Sequence, residues 1–247
     1  MRALSASEMI VIWERGAAQH PVDRALTLLE ACCGEPRERL AQASIGQRDA
    51  LLLLVHQQLF GDVLQAFAEC PQCRERLEYS LSTREIAARS SQSDGSNKDE
   101  SHLSFTDGEM QLQLRLPNSF DLGAVAACTD MRAARRLLAE RCVIEMTRER
   151  SAVPVSELTD STVDQIAAHL ASADPQGDVV IDLTCAACRH SWQVILEIES
   201  FLWIKISALA KRLLRDVHAL ARVYGWTEQQ ILSLSPLRRH AYLEMVG

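Results

Sequence analysis

Four of the eight cysteines in this 247-residue chain fall into two Cys-x-x-Cys pairs, Cys70-Pro-Gln-Cys73 and Cys185-Ala-Ala-Cys188. The stretches around them align without gaps: Arg74 matches Arg189, Leu77 matches Trp192, Tyr79 matches Val194 and Leu81 matches Leu196. Each pair therefore reads as a knuckle between two strands, and together they form an internal repeat of a half-site. Two knuckles supply the four thiolates of a tetrahedral metal site, for which zinc is the expected ion and iron the rival. Four protein ligands close the shell, whereas a catalytic zinc keeps one position for water, so the expected role is structural. With 111 residues between Cys73 and Cys185, such an ion would fasten remote parts of the chain. A thioredoxin-like redox site is the competing chemistry, but it needs one dithiol at a helix N-terminus, and neither pair runs into a helical pattern. A metalloenzyme using His190 would require one cysteine to leave the shell.

Composition sets wider limits. The chain is 47 % hydrophobic and 24 % charged, ordinary for a globular protein of one large or two small cores. A net charge of −7 speaks against a nucleic-acid role, which rests on a clustered positive field. Arg132, Arg135, Arg136, Arg141, Arg148 and Arg150 do crowd one segment, yet Asp130, Glu140, Glu145 and Glu149 among them suggest a solvated helix face. The longest apolar run, Ala50 to Val55, is far short of the ~20 residues of a membrane span. No signal-peptide pattern is visible after Met1, so a cytoplasmic location is expected. Phosphate-cradling glycine loops, Gly-x-Ser-x-Gly and His-Glu-x-x-His are all missing, and no catalytic residue or small-molecule substrate is assigned.

The elements that would carry the knuckles are mostly helical. Capping boxes at Ser5-Ala-Ser-Glu8 and Ser44-Ile-Gly-Gln47 open two helices, and a third runs from Pro21 to Cys33 with Gly34 at its exit. The helix after Ser44 should bury Leu51, Leu54, Val55 and Leu59, and its His56 should be a packed residue rather than a ligand. Met110, Leu112, Leu114 and Leu116 alternate as in a hairpin strand. Helices are expected after Asn118, over about 131–146 and over about 160–173. A long amphipathic stripe spans about 198–224, followed by a short helix capped at Thr227 and a last one opened by Ser235-Pro236. Cys32, Cys33, Cys128 and Cys142 fall on helices as small hydrophobes. The expected fold class is α+β, mainly helical, with a split zinc ribbon of two β-hairpin knuckles. Its expected segments are N-terminal helices (1–61), first half-ribbon (62–84), flexible loop (85–102), hairpin plus helical insertion (103–176), second half-ribbon (177–197) and C-terminal helical tail (198–247).

The tail from Asp216 through Tyr-Gly-Trp226 to Tyr242-Leu resembles the C-terminal motif of base-plate or base-plate-hub assembly proteins of contractile phage tails and phage-tail-like injection systems. The resemblance extends over both knuckles, Arg115-Leu-Pro117-x-x-x-Asp121-Leu122, Asp174-Pro175-Gln176 and Phe201-Leu-Trp203. Knuckles of such proteins commonly read Cys-Pro-x-Cys-Gly. Arg74, Ala186 and Arg189 depart from that, so some strain is expected in the turns. The resemblance implies a non-enzymatic assembly factor, chaperone-like or incorporated into the particle, with base-plate or hub proteins as partners. A zinc-ribbon nucleic-acid-binding or regulatory protein is the alternative.

Overall fold

A computed structural model describes residues 1–91 and 103–246. In chain order the elements are α1 (Ala6–Gly16), α2 (Pro21–Cys33), α3 (Arg37–Gln42), α4 (Ile45–Phe60), β1 (Val63–Glu69), β2 (Arg76–Ser82), α5 (Thr83–Ser91), β3 (Leu103–Asp107), β4 (Met110–Leu114), α6 (Ser119–Val125), α7 (Met131–Cys142), β5 (Val143–Arg148), β6 (Ser151–Ala152), α8 (Asp160–Ala173), β7 (Val180–Thr184), β8 (Ser191–Ile195), α9 (Ile198–Tyr224), α10 (Glu228–Ser233) and α11 (Pro236–Val246). With 58 % of the described residues helical and only small antiparallel sheets among them, the fold is mainly helical α+β. Two compact units result, one of Met1–Arg37 with Glu197–Gly247 and one of Glu38–Leu196. The expected N-terminal segment 1–61 is thus shared between them.

The first unit is all helix. Met9, Ile10 and Ile12 of α1, Leu26 and Leu29 of α2, Leu202, Ile206, Leu213 and Leu220 of α9, and Ile231 of α10 are buried together, each contributing about 1.5–3 kcal/mol by leaving water. Gly16 permits a close approach: a Cβ there would fall 2.3 Å from the Trp203 ring, over which the Arg24 guanidinium sits at 5.0 Å. The capping boxes at Ser5 and Thr227 form as expected. Of the apolar side chains of the tail, Ile231 and Leu232 are buried, while Leu237 and Met245 stay exposed. Arg239 lies outside the apolar set of the tail but is itself buried, and its Nε–H donates to Asp216 at 3.1 Å.

The second unit is built on the four-stranded antiparallel order β3-β4-β5-β6, with α7 and α8 against it. Met110, Leu112 and Leu114 alternate inward from β4 and meet Cys142, Met146, Val163 and Ile166. This sheet corrects two expectations. Helix α7 stops at Cys142 rather than about 146, and residues 143–148 form β5, which pairs antiparallel with β4 from Leu114↔Val143 to Met110↔Arg148 with a register shift between Gln113 and Leu114. The part of the insertion that follows the expected hairpin therefore holds a strand as well as helices. Val143, Ile144 and Thr147 are β-branched, and without β5 one edge of β4 would lack backbone partners.

Two further corrections concern helices. Residues 83–91, expected to run from the end of the first half-ribbon into the flexible loop 85–102, form α5. Its first turn is capped from a distance by Asp62, whose carboxylate accepts from the Thr83 hydroxyl at 2.7 Å and the Arg84 N–H at 3.2 Å. The remainder of that loop, 92–102, lies outside the described residues. Helix α4 buries Leu52, Leu53, Val55 and His56 and leaves Leu54 exposed, the reverse of part of the expected face. The arginines of α7 lie on the solvated face expected of them, where Arg132 pairs with Asp160, Arg135 with Asp164 at 2.9 Å and Arg136 with Glu140 at 2.9 Å.

Candidate metal centre

Each knuckle is the loop of a two-stranded hairpin. β1 and β2 pair from Val63↔Ser82 to Glu69↔Arg76, and β7 and β8 from Val180↔Ile195 to Thr184↔Ser191, which leaves residues 70–75 and 185–190 as equivalent six-residue loops. The same two backbone bonds close both. The Cys70 N–H donates to the Glu75 carbonyl and the Arg74 N–H to the Cys70 carbonyl. At the second knuckle Cys185 donates to His190 and Arg189 to Cys185, and all four distances are 2.9 Å. The tight return forces the residue after the second cysteine into the left-handed region, with φ of 63° at Arg74 and 61° at Arg189. That is the strain expected where such knuckles usually carry glycine.

The loops bring the four sulfurs together. Cys70 Sγ lies 3.6 Å from Cys188 Sγ, Cys73 Sγ lies 3.6 Å from Cys185 Sγ, and all four fall within 4.8 Å of one another. A tetrahedron of ligands about 2.3 Å from zinc has edges of about 3.8 Å, so the set fits one ion, while 3.6 Å is far beyond a disulfide bond of about 2.05 Å. All four are free thiols. Cys70 and Cys185 are buried and Cys73 and Cys188 exposed, which repeats the equivalence of the two loops.

Electrostatics point the same way. Burial opposes ionisation of Cys70, but N–H donors from Cys73 and Gln72 and the neighbouring thiols outweigh it and pull the group down to about 7. Cys73 receives an N–H from Glu75, yet the sulfurs of Cys188, Cys185 and Cys70, together with burial, push it up to about 12. Cys188 is also raised: burial and the sulfurs of Cys70 and Cys185 outweigh the N–H of His190. One thiolate forms readily and then disfavours the others, and a central cation would remove that penalty.

His190 stacks on Trp192, ring centroids 6.1 Å apart, and stands outside the four-sulfur group. His56 is a fully buried residue of α4 in ring contact with Phe60. Cys32 and Cys142 are buried in helices, and burial raises both to about 11, as inert core thiols. Cys33 and Cys128 are half-buried.

The other stretches that carry the resemblance lock the scaffold. Arg115 makes two bonds to the buried Asp121, at 2.6 and 2.9 Å, and Arg141 adds a third at 2.8 Å. Asp121 also accepts from the Asn118 N–H, tying α6 to the end of β4. The part of Arg141 was hidden in the sequence, because its partner lies 20 residues away. The Pro117 carbonyl accepts from the Ile45 N–H at 3.1 Å, and Asp174 accepts from Gly46, so both stretches hold the first turn of α4.

Among the described residues, no helix is long and apolar enough to cross a membrane. No curated protein and no solved structure matches the chain. The model of the family described as T4 bacteriophage base plate protein matches residues 16–203, a span that contains both knuckles and the whole second unit. Since that match covers well over half of the sequence, the chain belongs to the T4 bacteriophage base plate protein family.

Proposed function

We propose that this chain is a non-enzymatic assembly factor or minor structural component of the base plate of a contractile, phage-tail-like injection system, braced by one structural zinc on Cys70, Cys73, Cys185 and Cys188. The observation that carries the reading is the family match over residues 16–203, within which the two knuckles bring four sulfurs within 4.8 Å. Zinc suits the donor set and its closed shell, with no vacancy for substrate or water. Its chemistry is then that of a rivet: it binds four thiolates, and because the site barely exists in an unfolded chain, its binding energy adds to folding. Partners would be other base-plate or hub proteins, met in the cytoplasm where the particle is built.

Deleting the gene from a genome that encodes the particle tests this. Electron microscopy should show tails arrested without base plates, and wild-type protein supplied in trans should restore them. Mass spectrometry of purified particles separates a component from a factor that leaves. Particles of normal number and shape without the gene would overturn the reading.

A further inference from the structure

The C-terminal tail differs in net charge from the rest of the chain taken as a whole. Residues 198–247 hold seven Lys and Arg against four Asp and Glu, net +3, so residues 1–197 carry −10 of the whole −7. The excess is concentrated on one side of α9. Leu202, Ile206, Ala210, Leu213 and Leu220 face the first unit's core, and the opposite side is a solvent-exposed row of Ile204, Lys211, Arg215, His218 and Arg222, with Arg212 beside it. The spacing of three, four and seven residues puts these side chains on one line along the helix, about 27 Å long. Asp216 is the single acid between Glu199 and Glu228, and it lies on another side of α9, held by Arg239 at 3.1 Å. Among the described residues, Lys211, Arg212, Arg215 and Arg222 pair with no carboxylate; the Arg215 Nε–H donates to the Lys211 carbonyl of its own helix. The arginines of α7, by contrast, pair with Asp160, Asp164, Glu140 and Asp121. At the head of the row Ile204 is 69 % exposed, a large apolar side chain with nothing upon it.

We infer that this ridge of α9 docks an acidic helix of a partner protein, which sets Asp or Glu side chains at three- and four-residue spacing against Lys211, Arg215 and Arg222 and covers Ile204 with an apolar residue. The inference rests on the base-plate reading above and names its surface. Charge complementarity decides the kind of partner. A like-signed row is repelled by basic surfaces and steers acidic ones, and partnering here neutralises cations that have no acid of their own. A nucleic acid is disfavoured by the −10 carried by the rest of the chain and gives Ile204 nothing to bury against. A second copy supplies no such helix: Asp23, Glu30, Asp160, Asp164 and Glu140 are already paired, and no helix of the described residues carries a row of free acids. The row begins where the family match ends, at residue 203, so the surface lies in the part of the chain the match does not cover.

The test uses full-length protein and each purified base-plate subunit encoded in the same genome, with a 24-base-pair random duplex in parallel. Wild type should bind one subunit, with affinity falling about tenfold or more as salt rises from 50 to 200 mM. K211E/R215E/R222E should lose at least a hundredfold, mainly in association rate, and I204S several-fold with salt dependence unchanged. Both variants should melt like wild type, because all four side chains point into water. Equal binding by wild type and the triple variant would overturn the ridge and leave the base-plate reading standing. Binding of wild type to no subunit would sink that reading and the inference with it. Tighter binding to the duplex than to any subunit, or a self-association that the triple variant abolishes, would assign the ridge to another occupant and overturn the proposal.

Discussion

Asp174 accepts a hydrogen bond from the Gly46 N–H at 2.8 Å, across 128 residues of chain. The contact seats a carboxylate on the first turn of α4, where unpaired N–H groups and the helix dipole favour negative charge. It also explains the glycine, since a Cβ at residue 46 would stand 1.8 Å from Asp174 Oδ1. Gly46→Ala must swing Asp174 away and lose the bond. A destabilisation of about 1–3 kcal/mol in urea unfolding is expected, against a gain had only helix propensity counted. A more stable G46A protein would show that this contact does not form.

Among the described residues, four other than glycine hold positive φ: Arg74, Arg189, and the neighbours Glu149 (48°) and Arg150 (68°) in the two-residue turn between β5 and β6. Two left-handed residues in succession make a turn that Asn-Gly fits best. E149N/R150G should therefore raise stability by about 1 kcal/mol, and Arg74→Gly or Arg189→Gly by a few tenths to 1 kcal/mol with metal content unchanged. Thermal melts check both, and lower melting temperatures in all of these variants would contradict the backbone assignment.

Asp121 is fully buried. Burial opposes its charge, but Arg115, the Asn118 N–H and Arg141 overcome that and hold its carboxyl below the ordinary value. A depressed folded value means a contribution present above the unfolded pKa of about 4 and lost as pH falls through the folded one. Asp121→Asn keeps the shape and removes the charge. It should cost about 2–3 kcal/mol at pH 7, less than a fully buried pair because Arg115 and Arg141 are about a third exposed. The gap to wild type should shrink below pH 4. A gap constant from pH 7 to 3 would mean that the charge on Asp121 does not stabilise the fold.

What could be read from the sequence was local. The capping boxes at Ser5, Ser44 and Thr227 show themselves within four residues, and the helices follow where expected. The knuckles were legible because the offset between Cys70 and Cys185 carries matching strands with it. What failed was decided at a distance. Helix α5 takes its cap from Asp62, some 20 residues upstream. Residues 143–146 suit a helix or a strand alike, and the open edge of β4 settles the choice. In Leu51-Leu-Leu-Leu-Val55 every position is apolar, so no period marks the buried side, and only packing leaves Leu54 outside.

The central claim is that Cys70, Cys73, Cys185 and Cys188 hold one structural metal ion. Elemental analysis of the purified full-length protein should find about one zinc per chain, as a closed four-thiolate site requires. Cys185→Ser should lose most of the metal and melt at a lower temperature, as should wild type treated with a strong chelator. Metal retention should weaken as pH falls below neutrality, because protons compete with the ion for the thiolates. Wild-type protein that carries no zinc or iron, or Cys185→Ser protein that keeps both the metal and the melting temperature of wild type, would contradict the account.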